Sequence, residues 1–350
     1  MFIVSHHRMK PAKPRGILAV LVGALVLAQA PMSGLASPVD SSRLTVKVSI
    51  PFQRRSFKVS NDVLVVFQRN WADKTKENVE LFDRAGERVA SLSPLTSVQD
   101  AEAMSIWDVA VGRTGPVAMA AVFQDSEGRH AACLLLYDTT GRLLHALNLA
   151  PERMIRRLDV DEEGNTWALG ETSGVEDPAL TPAVFEYDRE GKLVGQYVHV
   201  VELPPIVADN EERGSGPDAL GLTRDGVWLW VPERRALVTF HRDGTHVEIR
   251  NIGAPAWTLP AGAVDHIEVV FGGFCALSGG AYVAQATLLA PSSAYSDIYV
   301  WREAGGRWKP LLRAGQGGVL VGADADRMVL GRAKPDGPEI EFQWVDVPED

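Results

Sequence analysis

Five polar side chains of this chain stand on segments that lead into apolar, β-rich runs: Asp108, Asp159, Asp218, His266 and Glu268. Carboxylate oxygens and an imidazole are ligands for a divalent cation, which can activate water or polarise an acid for hydrolysis or elimination. That chemistry requires the donors to converge, and their irregular spacing leaves convergence to the fold. A second set lies in polar segments: Trp71 with Asp73, Trp257, and Tyr295. An aromatic face beside a carboxylate suits stacking on a sugar, on a peptide side chain or on a cation. Other chemistries lack their patterns. There is no G-x-S-x-G elbow, no H-E-x-x-H helix and no C-x-x-C pair, and the glycine cluster 315–322 has no phosphate-loop lysine.

What must position these residues is a repeat. One outer-turn pattern occurs five times: Phe82-Asp83 to Gly86, Tyr137-Asp138 to Gly141, Tyr187-Asp188 to Gly191, His241 to Gly244 and Trp301 to Gly305. The glycines follow one another at 55, 50, 53 and 61 residues. Each turn joins two runs of alternating apolar residues, as Ala132–Tyr137 before and Arg142–Asn148 after. Aspartate can accept from nearby backbone amides, and glycine takes positive φ, so the pattern is a tight reversal between strands. A second hairpin lies upstream in several repeats, for example around Gly164 and Gly226. Two hairpins make one four-stranded sheet.

Counted this way, sheets span about 56–95, 104–149, 155–200, 217–252 and 264–314. A sixth has an inner hairpin at 319–332 and a third strand at 340–346, and then the chain stops. The missing outer strand is available at Arg43–Ile50. The expected fold is therefore all-β: a six-bladed β-propeller whose ring is closed by the amino-terminal strand completing the last blade. Closure removes sheet edges that invite aggregation. The hairpin, Asp-Gly-like turn and aromatic second strand resemble the NHL-type six-bladed β-propellers of secreted bacterial proteins. That resemblance covers nearly the whole mature chain and implies a ring that hosts binding scaffolds, sugar-lactone hydrolases and lyases alike.

On such a ring the inner-strand register tests for a metal centre. Counting back from the inner-hairpin glycines places Ala110, Asp159, Gly221 and Cys275 in one layer and Asp108, Arg157, Ala219 and Gly273 in another. Neither is an acidic ring, and Asp159 with Asp161 can instead bond the turn at Gly164. The long segments 69–78, 171–182, 201–217, 253–263 and 287–297 all fall on the face opposite the short turns, which is the usual place for recognition. The expected function is a binding or interaction module using that long-loop face. The ligand class stays open among peptide, cell-envelope component and glycan. The alternative is a metal-dependent hydrolase or lyase at the central channel. No cofactor is expected, a divalent metal entering only under the alternative.

Residues 1–15 carry Arg8, Lys10, Lys13 and Arg15 with no acid, and 16–30 form an apolar run short for a membrane span. Residues 1–36 read as a secretory signal peptide cut after Ala36, and 37–350 as the propeller, secreted or periplasmic, with no membrane span after cleavage. Cleavage would leave 31 basic against 45 acidic residues, a formal charge of −14. That balance argues against nucleic acid and for an extracytoplasmic protein, peptide or glycan as partner. Cys133 and Cys275 sit in apolar runs of different repeats, which reads as two buried free thiols.

Overall fold

The structure, a computed structural model, describes residues 41–50, 55–68, 79–138, 140–149, 153–172, 181–204, 219–223, 226–253, 255, 268–290, 293–312, 318–334 and 337–349. They form twenty-four strands in six four-stranded antiparallel sheets. The chain starts with β1 (Ser41–Lys47). Blade one follows with β2 (Arg55–Ser60), β3 (Val63–Gln68), β4 (Val79–Phe82) and β5 (Arg88–Leu92). Blade two holds β6 (Ala101–Val111), β7 (Val117–Asp125), β8 (His130–Tyr137) and β9 (Leu143–Asn148). Blade three holds β10 (Arg153–Val160), β11 (Thr166–Thr172), β12 (Pro182–Tyr187) and β13 (Leu193–His199). Blade four is β14 (Ala219–Leu222), β15 (Gly226–Val231), β16 (Ala236–His241) and β17 (Glu248–Asn251). Blade five is β18 (Glu268–Ala276), β19 (Tyr282–Ala290), β20 (Ser293–Arg302) and β21 (Arg307–Leu312). The last three strands are β22 (Val319–Asp324), β23 (Arg327–Ala333) and β24 (Glu339–Asp346).

Blade six is completed from the other end of the chain. Strand β1 pairs antiparallel with β24, from Ser41 opposite Val345 to Lys47 opposite Glu339. The chain then crosses to blade one, where the buried Glu80 carboxylate accepts from the Ser49 N–H at 2.9 Å and the Ser49 hydroxyl at 3.1 Å. The core repeats the closure. Six apolar clusters fill the spaces between successive sheets, and the one between blades six and one unites Val46, Val48 and Ile50 with Leu64, Val66, Val329 and Phe342. Each side chain so buried contributes about 1.5–3 kcal/mol, so the ring is held by its blade interfaces more than by any one sheet. Cys133 and Cys275 are free and buried, and burial pushes both thiols up to about 12, which leaves them inert.

The outer turns lock one blade to the next. Gly86, Gly141, Gly191 and Gly244 all take φ between +80° and +84°. Each also lies under a side chain from the preceding blade's outermost strand: Leu44, Leu92, Leu147 and Tyr197 in turn. A Cβ on these glycines would come within 2.7–3.0 Å of that side chain. Glycine is thus required twice, by the left-handed turn and by the neighbour. Leu44 takes this position from β1, as the closing strand should. The fifth turn departs from the sequence reading. A short 3-10 turn at Glu303–Gly305 uses one more residue, so Gly306 and not Gly305 takes the left-handed position, at φ +57°. Nothing packs on Gly306; here the two blades are joined by Arg250 and Glu303 at 2.9 Å.

One expected loop is not a loop. Residues 287–297 continue the hairpin of β19 and β20, with Thr287 opposite Ser296 and Ala290 opposite Ser293. Backbone pairing along both strands extends this ladder almost to its tip, and Tyr295 lies in β20. Among the described residues no helix is long and apolar enough to cross a membrane, and segment 1–36 lies outside them.

Candidate functional site

The strands β2, β6, β10, β14, β18 and β22 are innermost in their sheets, and five of the six neighbouring pairs pack directly on one another, β6 meeting blade one mainly through β3; these six strands line the axis of the ring. Their inner edges have no further strand to pair with, and an edge amide there needs another acceptor. Three blades supply it with a side chain. Asp108 of β6 accepts from the Leu158 N–H of β10 at 2.8 Å. Asp159 of β10 accepts from the Leu222 N–H of β14 at 2.9 Å, and from its neighbour Val160 N–H at 2.9 Å. In blade five glycine stands at the corresponding place, Gly273, and Gln285 of the paired strand β19 reaches through to accept from the Leu320 N–H at 2.8 Å. The acceptor changes between acid and amide, and the donor is each time a leucine amide on the next blade's innermost strand.

Lys58 of β2 joins the first of these contacts. Its ammonium donates to both oxygens of Asp108 at 2.9 Å and to the Leu158 carbonyl at 3.4 Å, tying blades one, two and three together. Asp108 is buried, 3% exposed. Beside them the Asn61 side-chain amide donates to the carbonyls of Val111 at 2.8 Å and Val160 at 3.5 Å. The Ser60 hydroxyl donates to the Val111 carbonyl and accepts from the Val111 N–H at 2.9 Å. Burial pushes the Asp159 carboxyl up to about 6 and Asp108 adds to the rise, against the pull of Lys58 and of the two N–H donors. The cluster sits near the ends of β2, β6 and β10 that lead into the short inner turns, far along the axis from the long connections.

Asp108 and Asp159 are thus brought close, but as ties between blades. The bulges between Ile106 and Asp108 and between Ile155 and Arg157 turn both registers toward the neighbouring sheet. Ala110 and Cys275, from the same layer as Asp159, are likewise buried in the interfaces. Asp161, and not Asp159, bonds the turn at Gly164. It accepts from the Asn165 N–H at 2.8 Å and from the Trp167 indole at 3.2 Å. Asp218 and His266 lie outside the described residues, as does the side chain of Glu268, whose backbone begins β18. Trp71, Asp73 and Trp257 also lie outside them, and so does the side chain of Tyr295. Lys58 was missed from sequence, where a lysine in an alternating strand carries no signal of its own. Among the described residues no group of three or more His, Cys, Asp or Glu is arranged to hold a metal ion.

The rim of the short-turn face is laced in the same way. Arg84 reaches Asp62 of its own blade and Asp324 of blade six, Arg113 lies 3.6 Å from Glu162, and Arg242 lies 3.3 Å from Glu163. Between blades five and six, Asp326 accepts from the Gly279 N–H at 2.9 Å. The sheets, their order and their closure define the chain as a six-bladed β-propeller. No protein-family model matches it, and no curated protein sequence matches it. Among solved structures it is similar to the β-propeller domain of the Trilobed protease from Pyrococcus furiosus, with 12% identity, 83% of this chain and 95% of that one covered, and a TM-score of 0.41. It is similar also to the soluble aldose sugar dehydrogenase from Escherichia coli, with 11% identity, coverages of 88% and 99%, and a TM-score of 0.41. For the GH74 xyloglucanase from Xanthomonas campestris the values are 14%, 87% of this chain against 46% of that enzyme, and 0.47.

Proposed function

We propose that this chain is an exported, NHL-like propeller, residues 37–350, that acts as a binding module through its long-loop face. The observation that carries this reading is the distribution of pairing. Lys58, Asp108 and Asp159 at the short-turn end of the axis, and Arg84 and Asp326 along the short-turn rim, are engaged by neighbouring blades. The longest stretches outside the strands, 69–78, 200–218 and 252–267, connect on the opposite face. Rigid rings present recognition residues on such segments, and Trp71, Asp73 and Trp257 belong to them. Tyr295 joins them from near the tip of the β19–β20 hairpin, which turns on that same face. The ligand is an extracytoplasmic peptide, envelope component or glycan. The alternative is a metal-assisted hydrolase or lyase at the channel, which would draw on Asp218, His266 and Glu268, or on Asp108 and Asp159 released from the pairing described above.

The test uses mature protein against immobilised peptidoglycan sacculi, a glycan array and a peptide library. Trp71→Ala with Trp257→Ala should weaken capture of the best probe at least about tenfold, the loss expected of aromatic hot spots. The melting temperature should stay near that of the parent. Equal capture by the double variant, or early unfolding, would sink the role assigned to this face. Amino-terminal sequencing of exported protein should begin at Ser37.

A further inference from the structure

The Lys58 ammonium has the surroundings of a bound cation. It contacts three oxygens: both of the Asp108 carboxylate at 2.9 Å each and the Leu158 carbonyl at 3.4 Å. Its side chain is 23% exposed and that of Asp108 5%. The partners are oxygens only, contributed by two blades, while the cation comes from a third. Asp159 lies near enough for Lys58 to oppose the rise of its carboxyl. Asn61 and Ser60 tie blades one to three beside it. A carboxylate with a backbone carbonyl is the donor chemistry of hard cations and of amines.

We propose that Lys58 is a tethered cation, filling the place near the short-turn end of the axis where a metal ion or a free amine would otherwise be held. At this level blades one, two and three are then tied together by the protein's own ammonium. The inference goes beyond the binding role of the loop face and stands whether or not that role does. It also gives Lys58 a purpose that its isolated place in the sequence does not suggest. A buried carboxylate left alone would be costly, and a tethered cation removes that cost without dependence on metal supply.

The experiment compares wild type with Lys58→Ala, Lys58→Met and Lys58→Ala combined with Asp108→Asn, by thermal melting with calcium, magnesium or n-propylammonium. Propylammonium replaces the atoms that Lys58→Ala removes. Wild type should be insensitive to all three beyond an ionic-strength control. Lys58→Ala should melt roughly 5–10 °C lower, from the unpaired carboxylate, and should recover part of that loss with propylammonium or calcium. Lys58→Met should show the loss but not recover with the amine, because its side chain occupies the space. The combined variant should respond to neither cation. The idea fails if wild type is stabilised by calcium or magnesium in a way that Asp108→Asn abolishes. It fails equally if Lys58→Met melts as wild type, or if Lys58→Ala, folded or refolded with either cation, gains nothing.

Discussion

Aspartate does opposite work at the axis and at the outer turns. At the outer turns the carboxylate serves its own loop. Asp138 accepts from the Thr140 hydroxyl at 2.6 Å and from the N–H groups of Thr140 and Arg142, and these hydrogen bonds, led by the hydroxyl, hold it down at about 2. At the axis the carboxylate serves the next blade, and burial drives Asp159 the other way, up to about 6. In four of the five outer turns the glycine also packs under a leucine or tyrosine side chain of the preceding blade; at the axis the tie between blades is a carboxylate or amide oxygen on a backbone N–H. The difference follows from solvent. An exposed turn can hydrate whatever it leaves unpaired, whereas at the inner strand edges of three blades a side chain inserted from next door satisfies the N–H.

The sharpest way to break this contrast is Asp108→Ala. It strips the acceptor from the Leu158 amide and leaves Lys58 without its carboxylate, and should cost about 3–5 kcal/mol in urea unfolding. A cost under about 1 kcal/mol would mean that water replaces the tie and that axis and turns are alike.

Gly191→Ala probes the outer side of the comparison. The residue has φ +83° and a Cβ there would lie 2.8 Å from Leu147 Cδ1. The expected cost is about 2 kcal/mol, part backbone strain and part overlap. Adding Leu147→Ala should make the two changes less than additive, because the overlap is then gone while the strain persists. Strict additivity would deny the contact its role.

The Asp159 carboxyl gives the comparison a pH signature. Its folded-state value lies above that of an ordinary carboxyl, so its contribution to stability is complete below about 4 and is lost as pH rises through about 6. Going from pH 7 to pH 5 should therefore stabilise the protein by about 1 kcal/mol through this group. Asp159→Asn should remove that part of the slope. Asp138 acts with the reverse sign and, held at about 2, does so well below this window. The smallest effect is expected from Asp138→Ala, whose melting temperature should stay closer to wild type than that of Asp108→Ala or Gly191→Ala. A drop as large as that of Gly191→Ala would show that this exposed carboxylate braces the ring.

Much of the architecture was legible in the residues. The Asp-Gly turns and alternating runs such as Ala132–Tyr137 marked hairpins, and their number, one short of the blades, pointed to closure by the amino-terminal strand that β1 provides against β24. The reading slipped where local signals were ambiguous. Gly305 and Gly306 are adjacent, and only the extra residue of the 3-10 turn selects the second. Segment 287–297 looked like a loop because Pro291, Ser292 and Ser293 signal a turn, which hid how far the strands on either side continue. The site was less legible still. Asp108 and Asp159 attracted notice as potential ligands because an acid in an apolar strand is unusual, but strand alternation alone cannot report bulges that aim both at a neighbouring blade.

What the sequence determined by itself was local and periodic: strand alternation, turn chemistry, and a blade count that follows from both. What the tertiary structure decided was which groups meet across blade interfaces. Leu44 over Gly86 and Lys58 on Asp108 join residues 42 and 50 positions apart, and Asp159 finds its partner 63 residues on. No periodicity encodes those meetings, because they depend on the rotation from one sheet to the next. Ring closure fixes that rotation only when all six sheets are in place.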